Sequence, residues 1–454
     1  MLGMGPIEIL LMLVVAGGGT STDLASLLPT QDYFKARNID ISIDKAVELA
    51  GKDPADGKTQ IAQLIALRYL ADESAKLKGA PNYEQHRQLL AAIAGGKKAQ
   101  DPQGFAKEYA AKVLARLDGT KLPAPAMPSV RDDSFRWFPA NANLIGALDF
   151  RSTRGAAPAK SGLADMLKMF PGDMVNAAIS AVEKVGNVRI DRIAFAFVDG
   201  PKDQQMGEIY VRISGKANVA WVLEAFKELK VQTKTSKGTN GETITRLTIV
   251  NEDAPAIAFV GDNDLVVTGY QKDKANHEPL LEKVLDLRAG KLKHAGEGVM
   301  KTELAKIPEK SVGLIVGRLP AEAAQGATFP MPVMIHGHIL RVQNALDVNL
   351  AGSMANNEDA LALVKQVSGF RTEGINALKQ LQGAPLPIPG FQPAQMIQML
   401  ESMQVEAQGS VAKLRLLMPD DMLGSYGMLM GVGFAGAARP VAPPPAKEEK
   451  KEKK

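Results

Sequence analysis

Apolar positions change period near residue 120. Before it, Ile61, Leu64, Ile65, Leu67 and Leu70 recur at three- and four-residue spacings. Leu89, Leu90 and Ile93 make a second stripe, and Phe105, Tyr109, Ala110, Val113 and Leu114 a third that Gly119 closes. Such spacing gathers apolar side chains on one side of a 3.6-residue turn, so residues 21–118 read as a helical domain. Without a fixed internal period, the segment reads as a simple helical domain. Residues 119–130 (GTKLPAPAMPSV) form a Pro-rich linker, where backbone amides are missing and helix cannot continue.

Beyond the linker the period becomes two. The alternation predicts strands over Leu144–Phe150, Val188–Val198, Glu208–Ser214, Thr243–Val250, Ala256–Val260, Leu265–Tyr270 and Val312–Leu319. Thr239-Asn240-Gly241 and Gly261-Asp262-Asn263-Asp264 supply hairpin turns. Helices are expected at Leu163–Val185, Val219–Leu229, Pro279–Leu287 and Val299–Ile307, and a Pro-containing break falls at Phe329–Pro332.

A weak duplication organises this region. Tyr210–Gly215 leads through Ala217-Asn218 into the helix at 219–229, and Asp347–Gly352 leads through Ala355-Asn356 into a helix at 358–367. Alternating residues follow each helix, at 231–235 and 243–248 in the first copy and at 405–407 and 411–417 in the second. Repeated supersecondary units predict pseudo-symmetric halves around a shared sheet. The expected fold class is therefore α+β, an N-terminal helical domain followed by a pseudo-duplicated antiparallel sheet and helix body. Its modules span 131–328 and 329–435, and a Pro/Lys/Glu tail at 436–454 is expected to be disordered.

Composition narrows the class of function. The 454 residues include no cysteine, which removes disulfides, thiolate metal sites and cysteine nucleophiles together. Net charge is +4, and without the last eight residues 49 basic side chains face 47 acidic ones. No broad basic field for nucleic acid follows, and 5% aromatic content argues against ring-stacking platforms for carbohydrate or single strands.

The leader MLGMGPIEILLMLVV is purely apolar from Ile9 to Ala16, far short of the roughly 20 residues that span a bilayer. It matches the length of a secretory apolar region, about 7–15 residues, and Ala16 to Gly19 offer small side chains to a peptidase. Against this, no Lys or Arg precedes the run and Glu8 stands in its place. Residues 1–20 are thus expected to be a signal peptide or short membrane anchor, with residues 7–16 the part that would touch a membrane. A buried first helix of a cytoplasmic protein is the alternative. Gly3-Met4 followed by Glu8 resembles the prepilin cleavage pattern, and the apolar run resembles the anchor of twin-arginine translocase subunits. The prepilin stem would continue past Gly17, and the translocase hinge is replaced by GGGTSTD. The uncharged leader, helical segment, paired modules and Pro/Lys tail together resemble uncharacterised exported proteins of planctomycete bacteria. That resemblance implies an envelope location and no particular activity.

Gly51 to Thr59 resembles a phosphate loop, but five residues separate its glycines and a helix precedes it. Gly431-Val432-Gly433-Phe434-Ala435-Gly436 has dinucleotide-loop spacing, with no strand before it and Arg439-Pro440 where a helix should run. Asp262, Asn263 and Asp264 lack the further ligands of a calcium loop. Ser410 and Lys413 would fall on opposite faces of a strand. Asp132 and Asp133 precede Phe135, Trp137 and Phe138, which read as a seal at the start of the body. Residues 422–438 carry no charge but five glycines, which favours a packed end over a membrane hairpin. His336 and His338, two apart on an expected strand, face the same way and are the candidate metal ligands. No catalytic residue is legible and no cofactor is expected. The expected function is a non-enzymatic envelope protein that binds or scaffolds a protein partner or envelope component. Two alternatives stand beside it, a membrane-tethered assembly or secretion-linked subunit and a hydrolase with loop-borne residues.

Overall fold

The computed structural model describes residues 23–419, apart from residue 102 and the segments 121–129, 131–133, 154–171, 201–206, 228–230, 249–254, 271–276, 319–329 and 382–392. The leader, most of the linker, the dinucleotide-like glycines and the tail therefore lie outside the described residues.

Among the described residues, seven helices come first: α1 (Leu24–Leu27), α2 (Thr30–Ala36), α3 (Ile43–Ala50), α4 (Gly57–Asp72), α5 (Ser74–Lys78), α6 (Tyr83–Ala94) and α7 (Phe105–Asp118). The central α4 is the most buried, because Ile61, Leu64, Ile65, Leu67 and Leu70 all have no exposed surface. Its first turn is fixed by Asp56, which accepts from the Thr59 amide while the Thr59 hydroxyl accepts from the Asp56 amide. Those side chains close a helix N-terminus, so the phosphate-loop resemblance at 51–59 resolves into a helix–helix connection.

The body comprises β1 (Leu144–Asp149), α8 (Gly172–Val185), β2 (Arg189–Val198), β3 (Glu208–Lys216), α9 (Val219–Phe226), β4 (Gln232–Lys237), β5 (Thr243–Thr248), β6 (Ala256–Val260), β7 (Asp264–Tyr270), α10 (Glu278–Arg288), α11 (Lys301–Leu304) and β8 (Ser311–Gly317). It continues with β9 (Met334–Val342), β10 (Ala345–Ser353), α12 (Asn357–Gln380), α13 (Pro393–Ser402), β11 (Gln404–Gln408) and β12 (Val411–Pro419). All twelve strands join one antiparallel sheet in the order β11-β12-β10-β9-β8-β1-β2-β3-β7-β6-β5-β4. The α+β class with an N-terminal helical region is the observed one.

The sheet is twinned about its centre. β1-β2-β3 and β8-β9-β10 are three-strand meanders that meet where Leu144 pairs Gly317 and Leu148 pairs Gly313. Each meander runs into a helix capped by asparagine. The Asn218 side chain accepts from the Ala220 and Trp221 amides, and that of Asn356 from the Asp359 amide at 2.8 Å. The repeated Ala-Asn is thus a repeated N-cap, which satisfies amides that the first helical turn leaves unpaired.

After the helix the copies diverge. In the second copy β12 returns directly beside β10, whereas in the first the strand beside β3 is β7 and its hairpin partner is β6. The topological counterpart of β11-β12 is therefore β6-β7, and β4-β5 is an added outer hairpin. The second helix also runs on to Gln380, well past the expected residue 367.

Strand alternation divides the two sheet faces. One carries Ile145, Ala147, Ala194, Ala196, Tyr210, Ala258, Val266, Leu314 and Val316, packed with α10 residues Leu280, Leu281 and Val284. Phe135, Trp137 and Phe138 are buried in the same core, as the aromatic cluster implied, and the Arg212 guanidinium stacks 4.2 Å over the Trp137 ring. On the opposite face, Leu247 and Phe259 join Ile179 and Val182 of α8 and the helical residues in one apolar cluster.

Polar contacts reinforce that junction. The Arg37 guanidinium grips Glu183 of α8 at 2.6 and 2.9 Å, and the Ala25 amide donates to Asn187 Oδ1 at 2.9 Å. Glu108 of α7 pairs with Arg189 of β2 and, at 2.9 Å, with Lys216 of β3. Burial pushes the Glu108 carboxyl up, but the hydrogen bonds and charges of Arg189 and Lys216 outweigh it and hold the group below its ordinary value. A carboxylate held low in the folded state binds fewer protons than in the unfolded chain. The stability it contributes is present above the unfolded value, about 4.3, and disappears as pH falls through the folded value. Urea unfolding of the Glu108→Gln variant should accordingly lose part of the wild-type decline in stability below about pH 4.5.

Candidate functional site

Among the described residues, β9, β10, β12 and β11 carry a row of polar side chains on one sheet face. Antiparallel register lines up His338, Asn349, Arg415 and Gln404 as direct neighbours across β9, β10, β12 and β11. Two residues along, His336, Ala351, Lys413 and Glu406 form a parallel row. Because residues two apart on a strand share a face, both rows project on the same side. Ala351 is the smallest side chain in either row, and the space above it becomes a hollow of about 490 Å³. Lys306 and Ile307, just after α11, form part of its lining. That volume falls in the range of small-molecule sites.

Carboxylates beside the hollow hold its lining side chains. Asp347 accepts from Arg415 Nε and Nη2, both at 2.9 Å, in the two-pronged geometry that fixes a guanidinium plane. The Arg415 hydrogen bonds hold the Asp347 carboxyl below the usual carboxylate range, and Asp347 raises Arg415 in return. Glu303 of α11 binds His336 Nε2 at 2.6 Å and Lys306 Nζ at 2.8 Å. His338 is half-buried, and burial lowers its imidazole against the upward pull of Asp347. Lys413 bonds Gln408 and stands 3.9 Å from the exposed Glu406 carboxylate, beyond hydrogen-bond distance.

A second cavity of about 130 Å³ lies between the β4-β5 hairpin and α10. Its charges are already paired across the junction, Arg288 with Glu242 and Arg246 with Glu282 at 2.5 Å. The hollow on the second module is the stronger candidate.

His336 and His338 are brought together on this face, as their spacing implied. Among the described residues, however, no group of three His, Cys, Asp or Glu side chains is placed to hold a metal ion. Ser410 occupies the β11-β12 turn and Lys413 lines the hollow, so that pair shares no pocket. Asp264 is engaged by Arg212 at 2.9 Å, and Asp262 and Asn263 form a hairpin turn. Arg415, Asn349 and Gln404 carry no motif in the sequence. The signal that could reveal them is the run of polar residues at every second position of strands whose other face is apolar.

No family model matches this chain. No curated protein matches either. Among solved structures, two crystal forms of the treponemal protein TP0453 are distantly similar. Form IV gives a TM-score of 0.33 at 9% identity, covering 65% of this chain and 96% of TP0453. Form I gives 0.31 at 10% identity, covering 66% and 97%. Likeness at this level lends no functional argument. Among the described residues, no helix is long and apolar enough to cross a membrane.

Proposed function

We propose that this chain is a non-enzymatic protein of the cell envelope with a binding role, its ligand or partner engaging the polar sheet face of the second module. The observation that carries the reading is the hollow over Ala351, where side chains from four strands and the segment after α11 converge on one space. Carboxylates hold Arg415, Lys306 and His336 in position before anything binds. Orientation established in advance reduces the ordering cost of association, which is what recognition requires. The envelope assignment rests on the apolar leader and the small residues Ala16 to Gly19 after it.

Cell fractionation combined with intact-mass measurement tests the address. Recovery from the envelope fraction with the first 16–19 residues removed is the expected result. An envelope-bound chain that keeps its leader would favour the tethered-subunit alternative. A chain with an intact leader in the cytosolic fraction would contradict the envelope assignment.

A further inference from the structure

The geometry points to a small organic anion, a molecule carrying carboxylate or phosphate oxygens, as the ligand of the hollow over Ala351; this deepens the binding role proposed above and rests on it. Three permanent cations, Lys306, Lys413 and Arg415, line the space together with His336 and His338, and Glu406 is its single lining carboxylate. Glu303 and Asp347 do not line it. They bind Lys306, His336 and Arg415 at its edge and balance their charge. Asp347 occupies Nε and Nη2 of Arg415, which leaves the Nη1 amino group of the fork uncommitted. Lys413 donates to an uncharged amide, Gln408, and lies too far from Glu406 for a hydrogen bond. An arriving anion would therefore gain charge-assisted hydrogen bonds without breaking a close ion pair at either group.

The remaining lining agrees with this chemistry. Gln404, beside Arg415 in the same row, adds an amide that can donate to further ligand oxygens, while Asn349 on its other side donates to the Asp347 carbonyl. No phenylalanine, tyrosine or tryptophan lines the space and its two rings are the imidazoles of His336 and His338, whereas charged oxygens find donors on several sides. The volume accommodates an organic molecule much larger than an inorganic ion.

The five histidines provide a readout with internal controls. Full-length protein carrying ¹³Cε1-histidine would be titrated with citrate, with glycerol 3-phosphate, with vesicles of phosphatidylglycerol and with neutral glycerol. H336Q and H338Q assign the two resonances of interest. Saturable movement of His336 and His338 is expected with anions and not with glycerol, while His86, His277 and His294 stay in place. Each of K413A and R415Q should weaken binding about tenfold or more, the size of one charge-assisted hydrogen bond. Lys413 is exposed enough for K413A to leave the fold intact even if R415Q does not, since R415Q strands Asp347. Response to soluble anions identifies a free metabolite-type ligand, and response to vesicles alone identifies a lipid headgroup. Failure of every anion to move these resonances, equal movement by glycerol, or binding undiminished by K413A would overturn the inference. A neutral molecule found in the hollow would end the anion assignment alone and leave the binding role standing.

Discussion

Asp149→Asn should cost about 3–5 kcal/mol of folding stability, the range for removing one partner of a buried ion pair. Asp149 closes β1 with a side chain that has no exposed surface, and Arg192 beside it is 2% exposed. The carboxylate accepts from Arg192 Nη2 at 2.9 Å and from Arg151 Nε at 3.0 Å. Burial alone would raise its pKa, but the two guanidiniums hold it below its ordinary value. Asparagine keeps the shape and removes the charge, so Arg151 and Arg192 both lose the carboxylate they share. A urea titration would show the midpoint falling while the slope stays constant. A loss under about 1 kcal/mol would mean that Arg192 finds water or another partner, and that β1 and β2 are not tied together here as described.

Gly57→Val should be nearly as damaging, by about 2–3 kcal/mol, at the upper end for inserting bulk where none fits. Gly57 opens α4 with its backbone against α8. A Cβ at this position would stand 2.3 Å from the Glu183 carbonyl oxygen and 2.6 Å from the Gly186 nitrogen. Neither neighbour is a flexible side chain that could swing away. Gly186 is itself constrained, with φ of +72° and the Trp221 ring 2.6 Å from where its Cβ would be. The substitution should therefore lift the helical region from the sheet, seen as faster hydrogen exchange in both α4 and α8. Accelerated exchange confined to α4 would contradict the shared apolar cluster.

Much of the fold was legible because it depends on local rules. The three- and four-residue spacing of Ile61, Leu64, Ile65, Leu67 and Leu70 marks α4 wherever it packs. Ala-Asn before an apolar run marks a capped helix in both copies, and the antiparallel strands alternate as a half-covered sheet demands. What was hidden is non-local. Nothing in one sequence says that β7 rather than β5 returns beside β3, since each pairing satisfies the same alternation. The length of α12 was hidden for a related reason. Only Ala360 of this helix is buried, so its continuation beyond residue 367 carries a weak apolar stripe.

The site divides along the same line. His336 and His338 are two apart on one strand, and their common face follows from that spacing. Asn349 joins them across the β9-β10 hairpin, and Arg415 and Lys413 only through cross-strand register over separations of tens of residues. The hollow also depends on Ala351, whose contribution is a missing side chain. A small residue in a strand gives no sequence signal until its neighbours are known.

Native mass spectrometry of wild-type and Ala351→Leu protein, each recovered from its own cells under gentle conditions, tests the binding account most directly. Leucine fills the hollow from its floor and alters none of the ion pairs around it. The account predicts a small bound mass on the wild-type chain that is absent from the variant, with both chains equally folded. A wild-type chain that carries nothing and takes up nothing from a small-molecule extract of the same cells, or a mass retained equally by both chains, would contradict it.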